Sequence, residues 1–324
     1  MKSSLSSVEL LCVPFDRGGA VSGAAQGPRA LLQCGLAKRL ERASGCPVDI
    51  AWLDVASPVT SVAAVAGDVD APSSAAGGSI PQGAVPEQKM KHLAEVLTVN
   101  LALCEKVRAA ASRGRMPLIL GGDHSLAIGS IAGVASVYPD LGVLWVDAHA
   151  DLNTEQTTPS GNIHGMPLAA SLGLGEESLV TIGGRRGKLA AQQVVLIGCR
   201  SIDEGERDFI RQAGIRVFTM RDIDELGMAA VMRQALSHLT RVSELLHVSF
   251  DVDALDPGMA PGVGTPVRGG LSYREARLAL EMLSESGRVV SADVVELNPS
   301  ADASGRTSEV VADLVAALCG EAIL

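Results

Sequence analysis

The sequence predicts an α/β fold in which helices cover both faces of a parallel sheet of about eight strands. Eight short apolar runs rich in β-branched residues recur along the 324 residues, and segments with helical periodicity separate them. Most of these runs are continuously apolar, which is typical of strands that are buried on both faces. Alternating strands and helices favour right-handed crossovers, and therefore a parallel sheet between two helical layers.

The predicted strands and helices account for nearly the whole chain. The strands are expected at residues 8–14, 48–55, 116–120, 142–147, 194–198, 215–219, 247–251 and 289–296. The clearest helix covers residues 87–113, because apolar residues recur there every three or four positions and Gly114 ends the pattern. Other helices are expected from Gly27-Pro28 to near Gly35, at 273–283 and at 309–318. We therefore predict a single domain over residues 1–324, with a low-complexity surface loop at about 60–85.

Composition narrows the classes of function. The chain has 27 basic and 37 acidic residues and a formal net charge of −10, so general binding to nucleic acid is not expected. No apolar stretch is long enough to span a bilayer, and the amino terminus lacks the features of a secretory signal. The six cysteines are scattered without a Cys-x-x-Cys pair, which is typical of reduced thiols. We expect a cytoplasmic protein that binds neither membranes nor nucleic acids.

Ionisable residues follow four of the predicted strands, at the point where each strand ends. Residues 121–125 (GGDHS) follow the third strand, 147–151 (DAHAD) the fourth and 251–253 (DVD) the seventh, while Glu296 ends the eighth. Because parallel strands end at the same edge of a sheet, and open α/β sheets bind ligands at that edge, these residues are expected to lie close together.

The segment 147–151 indicates a metal site most clearly. Asp147, His149 and Asp151 occupy every second position, so their side chains can lie on one side of an extended segment. Three ionisable groups at the end of an apolar strand would be costly to bury without a cation among them. Residues 121–125 and 251–253 are ambiguous when taken alone, because Asp and Ser are also good helix caps.

Taken together, the segments indicate a two-metal site. Two imidazoles and four carboxylates carry four formal negative charges, which match two divalent cations bridged by carboxylates. Oxygen-rich ligation with some imidazole and no thiolate favours Mn²⁺ over Zn²⁺. We predict that two Mn²⁺ ions per subunit are held by His124, Asp147, His149, Asp151, Asp251 and Asp253.

Six segments of the chain resemble the ureohydrolase family and, within it, the bacterial-type arginases. They are GGDHS at 121–125, DAHADLN at 147–153, SGNIHG at 160–165, SFDVDALDP at 249–257, GTPVRGGLSYRE at 264–275 and VELNPS at 295–300, with weaker similarity at 14–28. The resemblance implies a three-layer α/β/α sandwich and a homo-oligomer, either a trimer or a hexamer. It also implies metal-dependent hydrolysis of L-arginine to L-ornithine and urea by a metal-bridging hydroxide at a binuclear manganese site.

The resemblance assigns roles at the reacting end of the substrate. It makes Asp151 the metal ligand that also holds and orients the hydroxide, and His164 the group that carries a proton to the leaving amine. Glu296 is expected to pair with the substrate guanidinium in bidentate geometry. Thr265 lies where the family has another active-site hydroxyl group.

Other positions match those that bind the amino-acid end of the substrate. The α-carboxylate is expected to be received by Asn153, Ser160 and Asn162. Asp203 and Glu206 match positions that face the α-ammonium group, whereas Ser201 departs from the Asp of the animal enzymes. The stretch around Asp203 is also typical of a helix amino terminus with acidic residues in its first turn, and both interpretations can hold together.

Two alternative functions remain open. Another ureohydrolase, such as an agmatinase or a guanidinobutyrase, would use the same metals on a different guanidine. Agmatine lacks a carboxylate, and hydrogen bonds to charged groups contribute roughly 1.5–3 kcal/mol each, so residues 153, 160 and 162 favour arginine by about tenfold or more. A catalytically inactive regulatory subunit would be expected to have lost ligands, whereas all six are present.

Overall fold

Eight parallel strands form one sheet within residues 7–55 and 90–322, which are the residues that the computed structural model describes. The strands are β1 (Val8–Cys12), β2 (Val48–Trp52), β3 (Met116–Leu120), β4 (Gly142–Val146), β5 (Val194–Cys199), β6 (Arg216–Thr219), β7 (Leu246–Asp251) and β8 (Val289–Val295). Their order across the sheet is β2-β1-β3-β8-β7-β4-β5-β6. The eight predicted strands are confirmed, and the largest difference in bounds is at β2, which ends at Trp52 rather than at residue 55.

Helices connect the strands. They are α1 (Gly27–Gln33), α2 (Leu36–Ser44), α3 (Leu93–Ser112), α4 (Ala127–Ala135), α5 (Pro167–Ser171), α6 (Glu177–Val180), α7 (Glu204–Ala213), α8 (Met220–Leu226), α9 (Met228–Leu239), α10 (Tyr273–Ser286) and α11 (Arg306–Leu318). Ser272 and Glu275 form a reciprocal capping box that begins α10, since each side chain accepts the other residue's backbone N–H. The helices predicted at 273–283 and 309–318 are confirmed as α10 and α11, each about one turn longer than expected.

The predicted start of α3 was wrong. The helix begins at Leu93 because His92 has a φ of 55°, in the left-handed region, and such a residue does not continue a right-handed helix. Residues 87–89 of the prediction, like the predicted surface loop at 60–85, lie outside the described residues.

Alternate strand residues enter two apolar cores, one on each face of the sheet. Leu144 and Val146 of β4 belong to the core that α1, α2, α9, α10 and α11 cover. Val143 and Trp145 belong to the core that lies beneath α3, α4, α5 and α6. The three-layer α/β/α architecture is therefore confirmed.

The strand order determines where a ligand site can form. The chain leaves β3 and reaches β4 three positions away, and β8 and β7 later fill the gap between them. All four strands point their carboxyl ends to the same edge, where open parallel sheets bind their ligands. Within residues 7–55 and 90–322, no helix combines the length and the apolar character that crossing a bilayer requires.

Candidate metal centre and active site

The carboxyl ends of β3, β4 and β7 bring all six predicted metal ligands together. Two groups of three ligand atoms, each within 4.8 Å of one another, are formed by His124, Asp147 and Asp251 and by Asp147, His149 and Asp253. Asp147 belongs to both groups. Asp151 completes the set, since its Oδ2 lies 3.1 Å from His124 Nδ1.

The His124 ring presents a buried nitrogen to three carboxylates. His124 Nδ1 lies 3.0–3.2 Å from Oδ2 of Asp147, Asp151 and Asp251, yet it makes no hydrogen bond. The ring is fixed from behind, because Nε2 lies 2.8 Å from Ser249 Oγ and the ring stacks on Trp145 with centroids 4.2 Å apart. An imidazole nitrogen among carboxylate oxygens is a donor set that divalent transition metals take, so these residues fit the predicted metal.

The second group is built on the same principle. His149 Nδ1 lies 3.4 Å from Asp147 Oδ1 and 3.1 Å from Asp253 Oδ2. Thr265 Oγ1 donates to the same Asp253 oxygen at 2.9 Å. The two-residue spacing of these ligands also allows a local hydrogen bond between them. Asp147 Oδ1 accepts the backbone N–H of His149, and Asp251 Oδ1 accepts that of Asp253, both at 2.7 Å.

The buried carboxylates repel one another. Burial, together with the charge of Asp147, raises the pKa of Asp151 to about 6. Burial and the charge of Asp253 raise the pKa of Asp251 well above its usual range. Despite burial, contacts with His124 and His149 hold the pKa of Asp147 below its usual range. Cations among these groups would compensate negative charge that two imidazoles alone do not.

Two residues of the site adopt backbone conformations that non-glycine residues rarely take. The φ of Asp151 is 52° and that of Glu296 is 65°. The carbonyl oxygen of Asp151 accepts backbone N–H groups from Leu168 and Ala169 at the start of α5. The backbone N–H of Glu296 donates to Gly122 O at 2.7 Å. Strain of this kind, held in place by surrounding hydrogen bonds, clusters at functional sites.

His164 is held beside Glu296. Its Nδ1 lies 3.0 Å from Glu296 Oε1, and the same oxygen accepts the backbone N–H of His124 at 2.8 Å. Although burial opposes the charged imidazole, the Glu296 carboxylate raises the pKa of His164 to about 9. This raised pKa favours the protonated form of His164 at neutral pH.

A cavity of about 120 Å³ opens above the ligand cluster. It is lined by His164, by the ligands His124, His149, Asp151, Asp251 and Asp253, and by the predicted substrate-binding residues Asn153, Ser160, Asn162, Asp203, Glu206 and Thr265. Asp147 and Glu296 are buried and do not line it. Apart from Glu296, the residues predicted for the two ends of the substrate thus line one cavity.

The acidic residues of the cavity rim differ in what they can still bind. Asp203 is exposed, precedes α7 as its N-cap residue and accepts the side-chain amide of Asn153 at 2.9 Å. Glu206 is buried, and its two oxygens accept the backbone N–H groups of Leu152 and Asp203. Burial raises the pKa of Glu206 to about 7. Asp203 therefore has the freer carboxylate, and the expected helix amino terminus is confirmed.

Sequence reasoning missed residues that support the ligands. Ser249 and Trp145 each stand two positions before a predicted ligand, Asp251 and Asp147, and so lie on the same face of the strand. That two-residue spacing is a signal that could have identified both. Lys91 donates its Nζ to Asn162 Oδ1 at 3.1 Å. Because Lys91 lies just before α3, far in sequence from the segments that contain the predicted ligands, no spacing in the sequence identifies it.

The fold and the site define an α/β protein with a candidate two-metal centre at the carboxyl edge of its sheet. Residues 6–320 match the model of the family described as the Arginase family, so the chain belongs to the arginase family. It is 45% identical over 320 residues to the arginase of Bacillus caldovelox, covering 99% of this chain and 100% of that protein. It is 42% identical over 321 residues to the arginase of Bacillus subtilis strain 168, covering 98% and 99%. The crystal structure of arginase from Bacillus cereus superposes with a TM-score of 0.86 at 43% identity, covering 98% of this chain and 100% of that one.

Proposed function

We propose that this protein hydrolyses L-arginine to L-ornithine and urea. The observation that carries the proposal is the paired ligand cluster around Asp147 at the base of a cavity whose rim presents amide, hydroxyl and carboxylate groups. Its membership of the arginase family, and its identity to proteins named arginase, support the same reaction.

The six clustered side chains would hold two divalent ions, and we propose Mn²⁺. Asp147 lies between the two groups and would bridge them, while His124 and His149 each present Nδ1 to one group. The orphaned Nδ1 of His124 is the feature that best fits a metal. When bound, two divalent ions acidify water and so supply a nucleophile at neutral pH.

His164 would donate a proton to the leaving group, and Glu296 would bind the guanidinium group. Glu296 Oε1 fixes the Nδ1 side of the His164 ring, so Nε2 is the ring nitrogen that can reach a ligand in the cavity. A protonated His164 can donate to the nitrogen that leaves as an amine. Because Glu296 Oε1 already accepts two hydrogen bonds, a contact with the guanidinium would use Oε2 rather than the bidentate pair that the sequence predicts.

The rim would recognise the amino-acid end of arginine. Asn153, Ser160 and Asn162 supply neutral polar groups suited to a carboxylate, and Asp203 supplies a negative charge suited to an ammonium group. Glu206 already accepts two backbone N–H groups, those of Leu152 and Asp203. We therefore propose that it fixes the turn at Asp203 in addition to lining the cavity.

Urea release by the Mn²⁺-loaded protein tests this function. L-Arginine, agmatine and 4-guanidinobutyrate share the guanidinium but differ at the other end, since agmatine lacks the carboxylate and 4-guanidinobutyrate lacks the ammonium group. We expect the highest kcat/KM with L-arginine. A preference for agmatine would keep the metal chemistry and overturn the assignment of the rim, whereas no urea from any of the three would contradict the proposed reaction.

Assembly and location remain proposals. The family resemblance supports a homo-oligomer, a trimer or a hexamer, which light scattering coupled to gel filtration would distinguish. No disulfide joins the cysteines within the described residues, which is compatible with the proposed cytoplasmic location.

A further inference from the structure

We propose that Arg200 is a positioning residue for one half of the metal centre, the group of Asp147, His149 and Asp253. The inference rests on the proposed function, because it concerns how the chain holds a pair of metal ions. Arg200 follows β5 and is not among the residues that line the cavity, so it acts through other residues.

The Arg200 guanidinium donates hydrogen bonds to backbone carbonyl groups of separate segments of the chain. Nη2 donates to Asp253 O at 2.7 Å and to Val267 O at 2.8 Å. Longer hydrogen bonds of 3.2–3.3 Å reach the carbonyl oxygens of Gly198, Ala254 and Leu255. The side chain therefore joins the turn that contains the ligand Asp253 to the loop that contains Val267.

The backbone of Arg200 extends this connection to the other two ligands. Its N–H donates to the carbonyl oxygen of Ala148, the residue between Asp147 and His149, at 2.9 Å. Ala148 N–H in turn lies 3.3 Å from Asp253 Oδ1. A single residue thus ties together the backbone segments that present all three ligands of this group.

The loop that contains Val267 also contributes to the ligand itself. Thr265, two residues before Val267, donates its hydroxyl to Asp253 Oδ2 at 2.9 Å. Because Arg200 holds Val267 and the Asp253 carbonyl together, it sets the distance over which Thr265 reaches the carboxylate. Displacement of either segment would therefore rotate the Asp253 side chain.

Arginine is required for this arrangement. Its planar fork has five N–H donors, whereas lysine has one ammonium group that cannot reach carbonyl oxygens on several sides at once. Space for the fork exists only because residue 270 is glycine. A Cβ on Gly270 would lie 2.6 Å from Arg200 Nη2 and 2.6 Å from the carbonyl carbon of Leu255.

The other half of the centre has a separate support. His124 is fixed through Nε2 by Ser249 Oγ at 2.8 Å and by stacking on Trp145. Among the described residues, the hydrogen bonds of Arg200 do not include His124 or Asp251. Loss of the Arg200 fork should therefore weaken one metal position and spare the other.

The experiment compares Mn²⁺ binding by metal-free proteins, using calorimetry for stoichiometry and affinity and electron paramagnetic resonance for the coupled ion pair. The variants are Arg200→Lys, Asp253→Asn and the double variant. Arg185→Lys is the control, since Arg185 also donates its guanidinium to a backbone carbonyl, that of Lys188, at 2.8 Å, but is exposed and outside the metal centre. Should Arg200→Lys not fold, Arg200→Gln, which keeps a planar donor group, replaces it.

We expect Arg200→Lys to bind one Mn²⁺ as the parent does and the second about 10–100-fold more weakly, with loss of the coupled-pair signal. In the Asp253→Asn background, adding Arg200→Lys should leave the affinity of the remaining ion unchanged, whereas adding Ser249→Ala should lower it. Arg185→Lys should bind two ions normally.

Two unchanged affinities in Arg200→Lys, or a further loss in the Asp253→Asn background, would overturn the role of Arg200. So would failure of both Arg200 variants to fold without metal, because Arg200 would then serve the fold as a whole. Absence of Mn²⁺ binding by the unmodified protein would instead defeat the proposed function.

Discussion

Replacement of Asp203 by Asn separates two properties of this side chain, its charge and its ability to accept a hydrogen bond from Asn153. Asp203 is the N-cap residue of α7, and its carboxylate accepts the Asn153 amide at 2.9 Å at the rim of the cavity. Asn caps helices as well as Asp does, and its carbonyl can accept the same amide, but it carries no charge to attract an α-ammonium group. Asp203→Asn should therefore affect substrate binding without affecting stability.

The expected magnitude follows from exposure. Hydrogen bonds to charged groups contribute about 1.5–3 kcal/mol, and because Asp203 is exposed to solvent we take the lower end, about 1.5 kcal/mol or a tenfold rise in KM for L-arginine. 4-Guanidinobutyrate has no α-ammonium group, so its kcat/KM should not change. Asp203→Ala should raise KM similarly and also lose the hydrogen bond from the Asn153 amide, with little change in Tm, because no side-chain hydrogen bond of Asp203 caps α7.

Steady-state urea release with both substrates, together with thermal unfolding of each variant, measures these effects. An unchanged KM for L-arginine in Asp203→Asn would show that the carboxylate serves only to hold the Asn153 amide. A parallel loss with 4-guanidinobutyrate would show that the substitution disturbs the metal centre rather than the recognition of ammonium.

Three further outcomes are expected. Asp151→Asn should lower kcat by at least about 100-fold, because Asp151 is expected to hold and orient the attacking hydroxide. The circular dichroism spectrum should not change, and a near-normal kcat would assign the orienting role to another residue. Chelation should abolish urea release and Mn²⁺ should restore it, with the metal adding about 2.7 kcal/mol of stability at 100 times its Kd; undiminished turnover after complete demetallation would contradict the metal mechanism. Asp302→Ala, at a residue that does not line the cavity, removes the carboxylate that accepts the Thr307 and Ser304 N–H groups, so denaturant unfolding should show about 1–2 kcal/mol lower stability, and equal stability would refute this capping role.

The sheet could be predicted because parallel strands that are buried on both faces consist of continuous runs of apolar residues. Local geometry explains why Asp147 and His149 were identified as well, since the alternation that places them on one side also lets Asp147 accept the His149 N–H. Boundaries were less predictable. Residues 87–92 contain one apolar residue, Met90, so the pattern does not define the start of the helix, and the left-handed conformation of His92 shows that α3 begins at Leu93.

The supports of the site could not be predicted because they join residues far apart in the chain. Glu206 accepts the N–H of Leu152, 54 positions earlier, and Arg200 donates to carbonyl groups more than 50 positions later. Such contacts depend on which strands become neighbours, and the order of the strands across the sheet has no local signal.

That strand order has a consequence for synthesis of the protein. β3 and β4 stand apart until β7 and β8, the last two strands to leave the ribosome, enter the gap between them. A nascent chain that has emerged only through β6 already contains His124, Asp147, His149 and Asp151, but no neighbouring strand holds the first beside the others. The complete set of six ligands therefore forms only after β7, which contains Asp251 and precedes Asp253, has joined the sheet between β3 and β4.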